Sequence, residues 1–180
     1  MKKSSLSFTE INESEFSSVI NLKGIPNPNG LDFLQLKYFI IKDKSEICGY
    51  VLLSEVFNTR TKRKYWLLLN LGIFDRYQGK GLGSFALSET HSVLLSKLGA
   101  KSYYVSLSNP LMYRMIIRES LEGIVDFYCL VNDQYTVEEM KAEEQYLEQY
   151  LAQNPSNFAG MIVSFDKNET EKVKSQYFRT

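Results

Sequence analysis

The sequence carries no net charge, one histidine, two cysteines and no apolar run of membrane-spanning length. Each shortage removes a class of function. The 21 basic and 21 acidic side chains cancel, so a broad electrostatic grip on nucleic acid or on an anionic membrane is not expected, although a local patch remains open. Cys48 and Cys129 fall inside apolar runs, with neither metal-ligand spacing nor a disulfide framework. They are read as buried thiols in a reducing compartment. Lys2 and Lys3 lead into Ser4, Ser5 and mixed polar sequence rather than a secretory apolar region. No stretch approaches the roughly 18 apolar residues of a membrane span. A cytoplasmic protein without a membrane partner is the expectation. His91, alone of its kind, has no acidic or cysteine partner at useful spacing. It is read as a partly exposed histidine on a helix surface, and no metal site is visible.

What is present suits one globular domain. A chain of 180 residues with 44% hydrophobic and 23% charged residues can bury a sizeable core. The 12 Tyr and 11 Phe are read as fillers of a strand-rich core. Residues 6–8 make a short first strand, and Asn12 with Glu15 makes a helix start. Phe16, Val19 and Ile20 give that helix an apolar face; Gly24 and Pro26 end it, and a turn-rich loop covers 25–30. Strands follow at 36–41, 47–57 and 65–74, with a tight turn at Asp43-Lys44-Ser45. Their short connections make them antiparallel neighbours. The basic connection with Arg60, Lys62, Arg63 and Lys64 is read as a solvated hairpin tip, with contact to nucleotide phosphates or an acidic partner as the competing reading.

Beyond Phe74 the pattern changes. A glycine cluster opens a helix from about residue 80 to 98, striped by Leu82, Ala86, Leu87, Val93, Leu94 and Leu98 and ended by Gly99. A strand at 102–107 makes this a strand–helix–strand unit with two parallel strands. A short helix at 111–120 and a strand at 123–131 come next. Thr136 and Glu139 form a second capping box, opening a helix to about Leu151. Its Glu138, Glu139, Glu143, Glu144 and Glu148 are read as a solvated face, the alternative being attraction of a cationic amine or basic partner. A last strand covers 158–165 before a polar tail. The fold class is mixed α/β: a mostly antiparallel sheet with a central parallel βαβ unit, in one domain over residues 1–166, a helical insertion at about 134–153 and a tail at 167–180.

The chemistry sits in Asp75-Arg76-Tyr77-Gln78-Gly79-Lys80-Gly81-Leu82-Gly83-Ser84, between strand and helix. Glycines there let a ligand approach the backbone. The first amides of the helix lack internal partners and sit at the positive end of its dipole, which suits a pyrophosphate. A Walker loop requires Ser or Thr directly after the Lys, but Gly81 follows Lys80. A dinucleotide fingerprint requires a third glycine where Ser84 stands, and an acid ending the next strand, where Ser108 and Asn109 stand.

The remaining pattern, Gln/Arg-x-x-Gly-x-Gly/Ala, is met by Gln78, Gly81 and Gly83. There the sequence resembles the GNAT family of acetyl-coenzyme A-dependent N-acyltransferases, most closely over residues 65–120. The resemblance implies an acetyl-CoA donor held at its pyrophosphate by the backbone of Gly79, Lys80, Gly81, Leu82, Gly83 and Ser84, beside Gln78. It implies that Leu71, Gly72 and Ile73 offer backbone groups to the pantetheine arm, with a bulge at Gly72, and that Asn109 contacts the cofactor. The acceptor would be an amine on a small molecule or a protein; a homodimer is compatible with the sequence. Where many members carry a catalytic Glu and Tyr, this chain has Tyr104 and Ile116. Tyr113, one helical turn before Ile116, is the candidate acid; Glu55, Asp126 or a water chain are the candidate bases. The missing pair leaves a second reading, a GNAT-like module that binds acyl-CoA without turnover.

Overall fold

A computed structural model describes residues 5–20, 31–58, 62–106, 110–132, 138–140 and 158–177. The chain divides into two compact units, Met1–Gly99 and Ala100–Thr180.

The first unit runs β1 (Leu6–Ile11), α1 (Glu13–Val19), β2 (Leu31–Asp43), β3 (Glu46–Asn58), β4 (Arg63–Ile73) and α2 (Leu82–Ser96). Its four strands pair in chain order, all antiparallel. Asp43 lies opposite Glu46, leaving Lys44 and Ser45 as a two-residue turn. Lys44 takes a left-handed φ of 57° there, the twist such hairpins need. The α1 start is a capping box: the Glu15 amide donates to Asn12 Oδ1 at 2.9 Å, and the Asn12 amide donates to Glu15 Oε2 at 3.2 Å.

Phe16 and Ile20 from the α1 segment are buried with Tyr38, Ile40 and Leu52 of β2 and β3. Burying Phe16 contributes about 2–3 kcal/mol. Strand alternation sends Phe39, Ile41, Val51 and Leu53 to the opposite face, all at 1% exposure or less. Helix α2 packs on β3 and β4 through Leu82, Ala86, Leu87, Thr90, His91, Val93 and Leu94. His91 is thus a buried residue, 5% exposed, and not the surface histidine expected. It follows Leu87 by one turn, and the buried stripe of α2 is wide enough to include it.

The second unit runs β5 (Ser102–Ser106), α3 (Pro110–Leu121), β6 (Asp126–Asn132), β7 (Glu138–Met140), β8 (Phe158–Ser164) and α4 (Lys167–Tyr177). Strand β8 pairs antiparallel with both β5 and β6, and β7 pairs antiparallel with β6. Tyr103, Val105, Ile116, Met161 and Val163 are buried.

Two expectations are corrected here. Glu138 and Glu139 do not open a helix; they lie in β7, opposite Val131 and Leu130. The ladder offered by β6 overrides the local helical pattern. Thr136, Glu143, Glu144 and Glu148 lie outside the described residues, as do Gly24, Pro26, the loop at 25–30 and Arg60. The polar tail is also structured: Lys167–Tyr177 is helical, and the Glu169 amide donates to Asp166 Oδ1 at 2.8 Å. Asp166 followed by Glu169 is the same start signal as Asn12 and Glu15.

Candidate active site

Strand β4 contains one extra residue relative to β3. Leu68 faces Leu53 and Asn70 faces Leu52, so the bulge falls at Leu69. This corrects the expectation for Gly72, which pairs regularly with Tyr50. Gly72 is small for a different reason. A Cβ there would stand 2.5 Å from Cε1, 2.7 Å from Cζ and 2.9 Å from the hydroxyl of Tyr50. The Tyr50 ring therefore lies across Gly72, and it also meets Phe16 edge-on at 5.7 Å and Phe74 at 6.3 Å between centroids. Burial pushes the Tyr50 phenol pKa up.

The end of β4 has a defined polarity. The Phe74 amide donates to the Cys48 carbonyl at 2.9 Å. Alternation along an antiparallel ladder then turns the Gly72 backbone groups toward β3 and those of Leu71 and Ile73 away from it. One of these outward groups is occupied: Gln78 Nε2 donates to the Ile73 carbonyl at 3.0 Å and to Asp75 Oδ1 at 3.0 Å. Gln78 is thereby a brace between the strand end and the turn at Asp75–Tyr77.

Past Gln78 the backbone takes two left-handed steps, Gly79 at φ 74° and Gly81 at φ 78°. Nothing lies within 4 Å of where a Cβ would stand at either position. Gly81 is the N-cap of α2, and no side chain caps it. The first intrahelical bond runs from the Phe85 amide to the Gly81 carbonyl at 3.1 Å, so the amides of Leu82 and Gly83 precede the ladder. Leu82 anchors the turn from below, buried at 6% exposure. A 15-residue helix with such a start presents positive potential to an anion. A bare glycine turn before a helix start without a side-chain cap at Gly81 fits a diphosphate.

Two cations flank this turn. The Arg76 guanidinium sits 4.6 Å and Lys80 Nζ 5.5 Å from the centroid of the Tyr77 ring. Lys80 Nζ also donates to the Arg76 carbonyl at 3.3 Å. The Tyr77 hydroxyl donates to Glu46 Oε2, an interaction that pushes the Tyr77 phenol pKa up.

The proposed acid and bases are spread over both units. Glu55, half-buried, lies on β3 opposite Trp66 and Gln35, past the bulge from Gly72. Tyr113 belongs to α3. Asp126, half-buried, begins β6 opposite Ser164. Tyr104 lies on β5 and Ile116, on α3, is fully buried. Asn109 lies outside the described residues. Among the described residues, no group of three His, Cys, Asp or Glu could hold a metal ion, and no helix is long and apolar enough to cross a membrane. Sequence reasoning missed the Tyr50–Gly72 contact and the cation-bearing ring of Tyr77. Only the run Arg76-Tyr77 before the glycines could have hinted at the second.

The fold is one shared with solved acetyltransferases. Arabidopsis thaliana NAA60 in complex with acetyl-CoA superposes with a TM-score of 0.54 at 13% identity, covering 89% of this chain and 99% of that one. Spermidine/spermine N-acetyltransferase SpeG from Vibrio cholerae gives 0.51 at 12% identity, with 88% and 91% covered. The ribosomal-protein-S18-alanine N-acetyltransferase from Escherichia coli gives 0.50 at 12% identity, with 88% and 92% covered. Among curated proteins no sequence matches. Residues 7–114 match the acetyltransferase (GNAT) family. The chain belongs to that family, and its fold is the mixed α/β fold of GNAT acetyltransferases.

Proposed function

We propose that this protein is an acetyl-CoA-dependent N-acetyltransferase of the cytoplasm that moves an acyl group to a primary amine by direct attack. The observation that carries this reading is the β4–α2 junction, where two left-handed glycines, with nothing within 4 Å of where their side chains would stand, lead into a helix start that no side chain caps at Gly81. The backbone of Gly79 to Ser84 holds the diphosphate, and Leu71 and Ile73 offer outward groups to the pantetheine arm. When bound, the donor supplies a thioester carbonyl carbon. Glu55 takes the proton of the acceptor ammonium, directly or through water, so that the amine can attack. Tyr113 gives a proton to the sulfur as the carbon–sulfur bond breaks. The acceptor class follows the family likeness: an amine-bearing small molecule or a protein amine.

Thiol release from acetyl-CoA, measured against polyamines, lysine, an aminoglycoside and peptides with a free N-terminus, tests the activity. Release with at least one amine is expected. Tyr113→Phe should slow turnover by about tenfold or more and leave coenzyme A affinity unchanged; a wild-type rate removes Tyr113 as the acid. The presence of Tyr104 and Ile116 at the family's catalytic positions favours the second reading, a module that binds acyl-CoA. Coenzyme A binding without thiol release from any amine would establish it.

A further inference from the structure

The phenol of Tyr50 sits where a plain phenyl ring would pack as well. Neighbouring strands lie about 4.8 Å apart, so a tyrosine of β3 that lies across β4 brings its far end over that strand. The atoms nearest the side-chain position of Gly72 are indeed Cε1, Cζ and the hydroxyl oxygen, at 2.5, 2.7 and 2.9 Å. Phe16, itself buried, meets the ring edge-on at 5.7 Å, and Phe74 stands 6.3 Å away between centroids. The ring is thereby fixed by the strand beneath it and by two aromatic neighbours. Its hydroxyl is not: among the described residues, none forms a hydrogen bond with it. Tyr50 is half-buried, and a buried phenol ordinarily finds a partner. A phenylalanine would fill the same space without that demand.

Beside that hydroxyl lies the edge of β4. Gly72 turns its backbone groups to β3, and Leu71 and Ile73 turn theirs outward. On the acetyl-CoA reading, on which this inference rests, the pantetheine arm leaves the glycine turn beyond Ile73 and runs back along the strand. Its acyl end then lies toward Leu71 and the bulge at Leu69, next to the Gly72 position that the phenol covers. We infer that Tyr50 is a further catalytic residue, its hydroxyl donating a hydrogen bond to the carbonyl oxygen of the bound thioester. Attack by the amine forms the carbon–nitrogen bond and moves the carbonyl π pair onto that oxygen, where a fixed donor stabilises the charge. The pair then returns, the carbon–sulfur bond breaks with its electrons on sulfur, and the nitrogen releases its surplus proton to solvent. Tyr50 keeps its own proton throughout. Burial pushes its phenol pKa up, which suits a group that donates a hydrogen bond without acting as an acid.

Tyr50→Phe in the full chain keeps the ring over Gly72 and removes only the hydroxyl, so melting temperature and coenzyme A affinity should not change. A ketone analogue of acetyl-CoA, with a methylene in place of the sulfur, presents the same carbonyl and cannot transfer it. Its isotope-labelled carbonyl stretch, read in the bound state by difference infrared spectroscopy, should lie at lower frequency in wild type than in Tyr50→Phe. A donated hydrogen bond weakens the C=O bond, and a purely structural role for the phenol would not move that band. With any amine that releases thiol, Tyr50→Phe should lower kcat about a hundredfold and leave KM for acetyl-CoA unchanged. Equal carbonyl frequencies in the two proteins, both carrying the analogue, would overturn the inference, as would a wild-type kcat. If wild type binds neither coenzyme A nor the analogue, the acetyl-CoA reading falls and this inference with it. That result shows as absent binding, whereas failure of the inference alone shows as bound analogue without a shifted band.

Discussion

At Gly72 an added side chain would strike the Tyr50 ring, whereas at Gly79 and Gly81 it would meet nothing within 4 Å. The strand end needs glycine because space is short. The turn needs it because the backbone is left-handed at φ 74° and 78°, a region costly to other residues. The two regions are adjacent in sequence and serve one proposed ligand, yet they fail differently. Damage to the strand end spreads through the packed contact of β3 with β4; damage to the turn stays local. Glycine at the first is part of the core, and at the second part of a surface.

The largest effect should therefore come from Gly72→Leu. Forcing a side chain against the ring of Tyr50 should cost about 3 kcal/mol or more of stability, read as a marked fall in the urea midpoint. In a Tyr50→Ala background, which lacks the obstructing ring and carries its own packing loss against Phe16 and Phe74, adding Gly72→Leu should cost much less than it does in wild type. A single variant as stable as wild type would show that β4 can shift, and the contrast between the two regions would dissolve.

Gly81→Val should have a smaller effect on stability and a larger one on binding. A β-branched residue with left-handed φ costs about 1–2 kcal/mol if the turn keeps its shape. The exposed turn can relax instead, and the first amides of α2 then point elsewhere. Coenzyme A affinity should fall about a hundredfold, as expected for losing one or two bonds to a charged group. Titration calorimetry beside a melting curve separates the two quantities. Unchanged affinity would count against the cradle; an unfolded variant would move Gly81 into the same class as Gly72.

The same contrast explains what could be read from the sequence. The capping box of Asn12 and Glu15 and the glycine turn from Gln78 to Gly83 are local: partners lie within a few residues, so spacing reveals them. The bulge at Leu69 rather than Gly72, the burial of His91 and the strand at Glu138–Met140 depend on what lies opposite, and spacing does not report that. Tyr50 is the clearest case. Nothing near it in sequence marks it as the residue that makes Gly72 obligatory, because the two meet only when β3 pairs with β4. Asp166 and Glu169 show the reverse, a local signal present in the sequence that composition alone obscured.

The smallest expected effect tests the link between the two regions. Gln78 joins them, with Nε2 donating to the Ile73 carbonyl at the strand end and to Asp75 Oδ1 in the turn. Both bonds are at the surface, so Gln78→Leu should lower stability by only about 1 kcal/mol. Its effect on the turn is kinetic and entropic: an unbraced segment samples more conformations and must be ordered again on binding. Hydrogen exchange of the amides from Gly79 to Gly81 should quicken in the ligand-free protein, and coenzyme A affinity should fall by a few-fold. Exchange unchanged without ligand, together with lost affinity, would instead make Gln78 a direct ligand contact; both unchanged would show that the strand end and the turn hold their shapes independently.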